Sequence, residues 1–327
     1  MFDVITFGSA TQDVYLISKK FFPVSGKKFF NGKGLCVDFG SKLQVEDTAF
    51  CFGGGGTNTA ATFAKQGLKV AYFGKVGNDY FGNLILNDLK SFKINTGLVL
   101  KSSDKKTNIS VVLTYPGEDK TILVYRGASD CLDKKEIPWN KIKNTKWFYL
   151  APFSGKLANL TEDLLNFAEK NNIKIAMNPG YKQLILSEEK LIKIFEKIDI
   201  LILNREEASL ITNISYKKEK EIFKKLDKLF HGICVMTKGI NGVAVSDGKR
   251  VYNAKGIIPK KTVDSTGAGD SFGSAFVSEF IRTQNVISSI QIGVANASSN
   301  IEEVGAREGL LKKNQKFKKV KVSFIKI

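Results

Sequence analysis

The chain has 327 residues, 43% of them hydrophobic, with four cysteines, one histidine and a formal net charge of +18. That length suits one large α/β domain burying about three quarters of its unfolded surface; the hydrophobic content excludes a disordered chain, and no apolar run approaches the ~20 residues of a bilayer span. The lone His231 makes a Ser-His-Asp hydrolase or a multi-histidine metal site hard to build, so general-base chemistry must come mainly from Asp or Glu.

In chain order, the first element is a buried strand over Val4 to Phe7. The surrounding "MFDVITFGSA" has neither the basic n-region nor the h-region of a signal peptide, so a cytoplasmic location is expected. Just beyond that strand, "GSATQD" places Asp13 where ligands of an open α/β sheet collect, either as an acceptor for a polyol hydroxyl or as an ordinary turn residue. A long polar segment from about Tyr15 to Phe50 follows, rich in aromatics such as Phe21, Phe22, Phe29 and Phe30. A second, "ISVVLTYPGEDKTILVY", turns at Pro116-Gly117 between two β-rich runs, which is a hairpin signal. Both stand outside the α/β alternation and predict a small sheet, segments about 14–50 and 105–126, able to cover a site. Cys36, Cys51, Cys131 and Cys234 form no CxxC and read as free thiols.

Between these segments lies "FGGGGTNTAATF", whose glycines precede a helix ending near Gly67. They permit close approach of backbone to a ligand, or serve as a packing device, and Asn58 carries donors and acceptors for sugar hydroxyls. The cluster is neither a Walker A loop nor a dinucleotide-binding turn. A helix beginning near Asp79, with Asn78 as its cap, comes next. Strands over "KWFYL", "IKIAM", "DILIL" and "ICVMT" then alternate with helices around 162–170, from about 187, over 206–211 and over 219–230. Such alternation predicts a mostly parallel sheet covered on both faces. In "ILNREEA", Asn204 and Glu207 suit a capping box and, compatibly, a hydrated Mg²⁺ on nucleotide phosphates. The stretch "MTKGINGVAVSDG" ends a strand in a glycine turn, which either edges a nucleotide site or is a plain β-turn.

The most informative stretch is "VDSTGAGDSFGSAF", in which Gly267, Ala268 and Gly269 run into Asp270 at the start of a helical pattern. Consecutive N–H groups in such a turn, added to those of a helix N-terminus, make an anion cradle suited to a phosphoryl group. The alternative is a tight strand-to-helix turn with Asp270 as a first-turn charge. A helix N-terminus lowers a carboxyl pKa; phosphoryl transfer needs little deprotonation of the nucleophile until late, so an ionised carboxylate that orients a hydroxyl suffices. The C-terminal "KKNQKFKKVKVSFIKI" reads as a lysine-guarded edge strand. Only five arginines stand among the 50 basic residues, and no recognition motif accompanies the charge, so it reads as a solvated surface without a nucleic-acid partner.

Together "GSATQD", "GGGGTNTA" with "GKVGNDYFG", "NREE", "TKGING" and "DSTGAGDSFGSAF" resemble, in order, the motifs of the PfkB carbohydrate kinase family, also called ribokinase-like. The resemblance implies a three-layer α/β/α domain spanning residues 1–327 with a β-sheet lid, and ATP-dependent phosphorylation of a sugar or nucleoside hydroxyl. By position, Asp270 resembles the catalytic base and Gly267, Ala268 and Gly269 the anion hole; Asp13, Gly54, Gly55 and Asn58 resemble substrate contacts. Asn204 and Glu207 match the family's NxxE element for Mg²⁺ and phosphate, and Thr237, Lys238, Gly239 and Gly242 its nucleotide edge, with Asn296 and Ser299 flanking adenine. Asp264 resembles a monovalent-cation ligand, implying K⁺, although the "GAREG" turn departs from the pattern with Gly309. Ribokinase's lysine in the first glycine cluster is replaced by Gly55, which speaks against assigning ribose outright. The lid aromatics suit closure over a substrate base, packing under the lid or a dimer interface, and a homodimer through the lid is a further expectation.

Overall fold

The computed structural model describes residues 1–29 and 32–326. Its largest sheet has nine strands. Six are parallel, in the order Val70–Phe73, Phe2–Phe7, Thr145–Leu150, Lys174–Met177, Ile200–Asn204, Ile233–Thr237; the antiparallel strands Val243–Ser246, Arg250–Ala254 and Val322–Lys326 complete the far edge. Side-chain alternation sends Ile5, Phe7, Leu201 and Leu203 into one apolar layer and Val4, Ile200 and Ile202 into the other, so helices cover both faces. The layers are closely packed: Val4, Ile5, Phe7 and Phe148 are fully buried, and the Phe7 and Phe148 rings meet edge to face at 4.7 Å. The last strand is the edge the lysine-flanked sequence predicts, with Arg250 over Phe324 at 4.9 Å.

A second, four-stranded sheet forms the lid, in the order Thr121–Tyr125, Asn108–Thr114, Thr11–Ile17, Asp47–Gly53. Only the pairing of Thr11–Ile17 with Asn108–Thr114 is parallel. The lid grows out of the core at the site. The central strand Phe2–Phe7 passes through Gly8 to Ala10 straight into Thr11–Ile17, and Asp47–Gly53 runs into the Gly55–Lys65 helix. Phe21 is buried, Phe22 is half exposed and Phe29 packs over Gly34; Phe30 lies outside the described residues.

One cap differs from the expectation. The Tyr80–Ser91 helix is capped by Asp79, not Asn78: its carboxylate accepts from the N–H of Gly82 at 2.9 Å and from Thr107 N and Oγ1 at 2.8 and 2.7 Å. Asp79 is the residue with extended dihedrals immediately before the first helical turn, where a side-chain oxygen reaches a first-turn N–H. By gripping Thr107 it also ties this helix to the lid's second segment.

Candidate functional site

The parallel strands end beneath the lid, and the Ala268–Thr283 helix opens there. Gly267 caps it at φ 79°, and a Cβ on Gly267 would lie 2.4 Å from that of Ala306, so the turn is pressed against the "GAREG" segment. Within the turn, Ala268 donates to Ser265 O and Ser271 to Gly267 O. The N–H groups of Gly269 and Asp270 donate to no group among the described residues. Gly269 is exposed, and a Cβ there would meet nothing within 4 Å. The half-buried Asp270 carboxylate accepts from Asn58 Nδ2 at 2.9 Å, while its other oxygen lies 3.6 Å from where a Cβ of Gly55 would stand. The expected lowering of its pKa is reversed. Burial pushes the carboxyl up, and neither the Asn58 hydrogen bond nor the Arg307 charge cancels that shift.

On the lid side, the buried Asp13 points down from Thr11–Ile17; a Cβ on Gly53 would fall 2.0 Å from its Oδ2, so Gly53 makes room for this carboxylate. Burial pushes Asp13 up to about 6, against a hydrogen bond from Ser110 and the Arg307 charge. Gly54, at φ 97°, brings the backbone against Ser9 and Ala10 as the Gly55–Lys65 helix begins. Asn58 is 4% exposed; one Nδ2 N–H is given to Asp270, and Oδ1 accepts from Arg307 Nε at 3.3 Å.

Arg307 went unnoticed in the sequence. It is 5% exposed, yet it donates to Asn58, to Gly53 O at 3.1 Å, to Thr57 Oγ1 at 2.5 Å and, as an ion pair, to Asp88. A buried arginine with all these acceptors organises the backbone that carries Gly53 to Asn58 and, through Asn58, orients Asp270. The available signal was an arginine in the glycine-bracketed "GAREG", in a chain with few arginines.

Asp264 lies three residues before the turn and is 7% exposed. Its Oδ1 accepts from Lys120 Nζ at 2.7 Å and from Thr266 N and Oγ1 at 2.9 and 2.6 Å; its Oδ2 accepts from Tyr15 OH at 2.6 Å and Gly305 N at 3.1 Å. Burial opposes ionisation, but hydrogen bonds from Lys120, Thr266 and Tyr15 outweigh it and hold the carboxyl down to about 2. Every lone-pair direction of the carboxylate thus meets a donor, and a monovalent cation on Asp264 does not fit this arrangement. Here the expected K⁺ ligand is already occupied by an ammonium.

On the far side of the turn is a cavity of about 320 Å³, mostly apolar, bounded by Thr237, Gly239, Gly242, Ala268, Gly269 and the Val294–Ile301 stretch. Three expected nucleotide residues sit elsewhere. Lys238 turns its ammonium to Glu219 at 3.0 Å and Asn253 at 3.2 Å. Asn296, fully buried, donates to Ser271 O and accepts from Leu311 N, both at 2.8 Å, and Ser299 donates to Gly309 O at 2.6 Å. The reason is helical phase: Val294, Ala297, Ser298 and Ile301, spaced three and four apart, face the cavity, which turns Asn296 and Ser299 away. At the neighbouring strand end, Asn204 and Glu207 form a reciprocal capping box at 2.7 and 2.8 Å, and burial raises the Glu207 carboxyl. Among the described residues, no cluster of three His, Cys, Asp or Glu gathers to hold a metal.

A covered parallel sheet, a β lid and a helix N-terminus opening between them define the ribokinase-like class of α/β/α proteins. The chain belongs to the pfkB family of carbohydrate kinases, whose profile it matches over residues 1–313. It is similar to the ribokinase of Haemophilus influenzae, 27% identical over 280 residues, which cover 83% of this chain and 88% of that protein. It is also similar to 5-dehydro-2-deoxygluconokinase of Clostridium beijerinckii, 29% identical over 282 residues, covering 80% and 82%. In fold it is similar to Arabidopsis thaliana ribokinase complexed with ribose and ATP, with a TM-score of 0.77 and 20% identity over 95% of this chain and 96% of that one.

Proposed function

We propose that this kinase transfers the γ-phosphoryl group of ATP to a hydroxyl of a ribose- or fructose-like sugar, the whole chain working as one unit beneath its lid. The observation that carries this reading is the Gly269-Asp270 corner: two N–H groups with no partner among the described residues and a carboxylate, set between the Asp13 and Asn58 side chains and an apolar cavity. The acceptor hydroxyl sits at Asp270, which orients it and takes its proton as the bond to phosphorus forms. The N–H groups of Gly269 and Asp270 stabilise charge on the equatorial oxygens of the migrating group. Asp13 and the backbone at Gly54 and Gly55 hold the remaining hydroxyls. The apolar cavity beside Ala297 takes the adenine. That acceptor side, with the carboxylates of Asp13 and Asp270, favours a polyol over a flat base, which would want apolar stacking.

Mg²⁺ fits as an ion held mainly by the nucleotide phosphates and reaching Glu207 through water, since one Glu207 oxygen is engaged in the capping box. When bound it would neutralise phosphate charge. The outer lid leaves Phe50 69%, Leu123 55% and Tyr125 47% exposed, and two lids facing each other would cover them in a homodimer.

The test is ADP formation from ATP across ribose, fructose, other sugars and nucleosides. Turnover confined to nucleosides would make the protein a nucleoside kinase. Binding of a sugar without ADP formation from any acceptor would make it a silent binding protein on this fold.

A further inference from the structure

Two lid elements converge on one carboxylate of the core. Lys120 comes from the loop joining Asn108–Thr114 to Thr121–Tyr125, and Tyr15 from Thr11–Ile17; both end on Asp264, and Lys120 Nζ also contacts Thr266 Oγ1. The Asp264–Lys120 pair is well shielded, with side chains 5% and 19% exposed. Without the ammonium, a desolvated negative charge would stand three residues from the turn that receives a phosphoryl anion, repelling it. An ammonium and a potassium ion are similar in size and carry the same charge.

We propose that Lys120 is a built-in counter-cation: it supplies from the lid the positive charge that Asp264 needs, couples lid position to the Ser265–Gly269 turn, and makes turnover independent of dissolved monovalent cations. This rests on the reading of that turn as the phosphoryl cradle. Lys120 is a positioning residue, since it acts on the turn through Asp264.

The experiment compares wild type, Lys120→Met and Lys120→Arg in potassium, sodium and tetramethylammonium chlorides at equal ionic strength, with Tris-ATP. Wild-type kcat is expected to agree within about twofold across the salts, and Lys120→Met to lose roughly tenfold or more in tetramethylammonium. Recovery of Lys120→Met in KCl, or retention of activity by Lys120→Arg alone, supports the proposal. Wild-type stimulation by K⁺, full activity of Lys120→Met in tetramethylammonium, or loss in both variants in every salt overturns it. Thermal melting separates this from the kinase reading, because it needs no turnover. A wild-type Tm that rises only in KCl, and not in Asp264→Asn, would reveal a real ion site and sink the proposal even if no acceptor were phosphorylated.

Discussion

The two glycine clusters occupy equivalent places, each ahead of a helix that opens on the site, yet they are glycine for different reasons. In the first, protein atoms forbid a side chain at three of four positions: a Cβ would strike Asp13 at Gly53, Ser9 O at Gly54 and, at 2.8 Å, Tyr72 at Gly56, while at Gly55 the nearest atom is the Ala151 methyl at 3.1 Å. In the second, Gly267 is likewise pinned by packing, but Gly269 faces open space. Gly53, Gly54 and Gly56 are dictated by the fold, whereas Gly269 opens on space that no protein atom fills. A motif that looks uniform in sequence thus divides into a packing half and a chemical half.

Three substitutions and a pH profile sharpen that division. The largest effect is expected at Asp270: Asp270→Asn should keep nucleotide affinity while kcat falls by about 10³-fold, and turnover surviving with weakened ATP binding would remove it from the acceptor side. Next, Gly269→Val should cut kcat by about tenfold or more while leaving Tm nearly unchanged, because the new side chain enters ligand space. Gly56→Val should do the reverse, costing about 1–3 kcal/mol of stability through its clash with Tyr72 and Gly8. If both variants lost stability alike, the distinction between the clusters would collapse.

The smallest effect is in pH. Asp13, raised to about 6, loses its acceptor capacity as pH falls through that value, so kcat/KM for the sugar should drop there, steepened by the raised Asp270. Stability moves oppositely. Asp13 binds its proton more tightly folded than unfolded, so its contribution is fully present below its ordinary 3.8 and is lost as pH rises through about 6. Paired rate and melting profiles check both signs; Asp264, held near 2, should leave the lid latch intact throughout.

Much of this was legible from residues near one another in the chain. The alternation of strands and helices, the Pro116-Gly117 hairpin, the lysine-guarded edge strand and the Asn204–Glu207 capping box all depend on neighbours a few positions apart. Two differences are small displacements along the chain. Asp79 rather than Asn78 caps its helix, and the cavity-facing side of the Val286–Asn300 helix carries Ala297 and Ser298 rather than Asn296 and Ser299. A hydrophobic helix with buried residues nearly all round offers little phase information from composition alone.

What the amino-acid order determined by itself was therefore periodic and local: layer order, turn positions, and a carboxylate placed at the first turn of a glycine-capped helix. Tertiary structure alone decided which charges meet. Tyr15 and Asp264 lie 249 positions apart, as do Asn58 and Arg307, and Lys120 and Asp264 lie 144 apart. It also reversed the sign of the Asp270 shift, since desolvation by the folded surroundings outweighed the helix end that the chain's order made visible. Hydrogen bonding and patterning act over a few residues, whereas burial and charge pairing are properties of the assembled interior, and no single segment carries them.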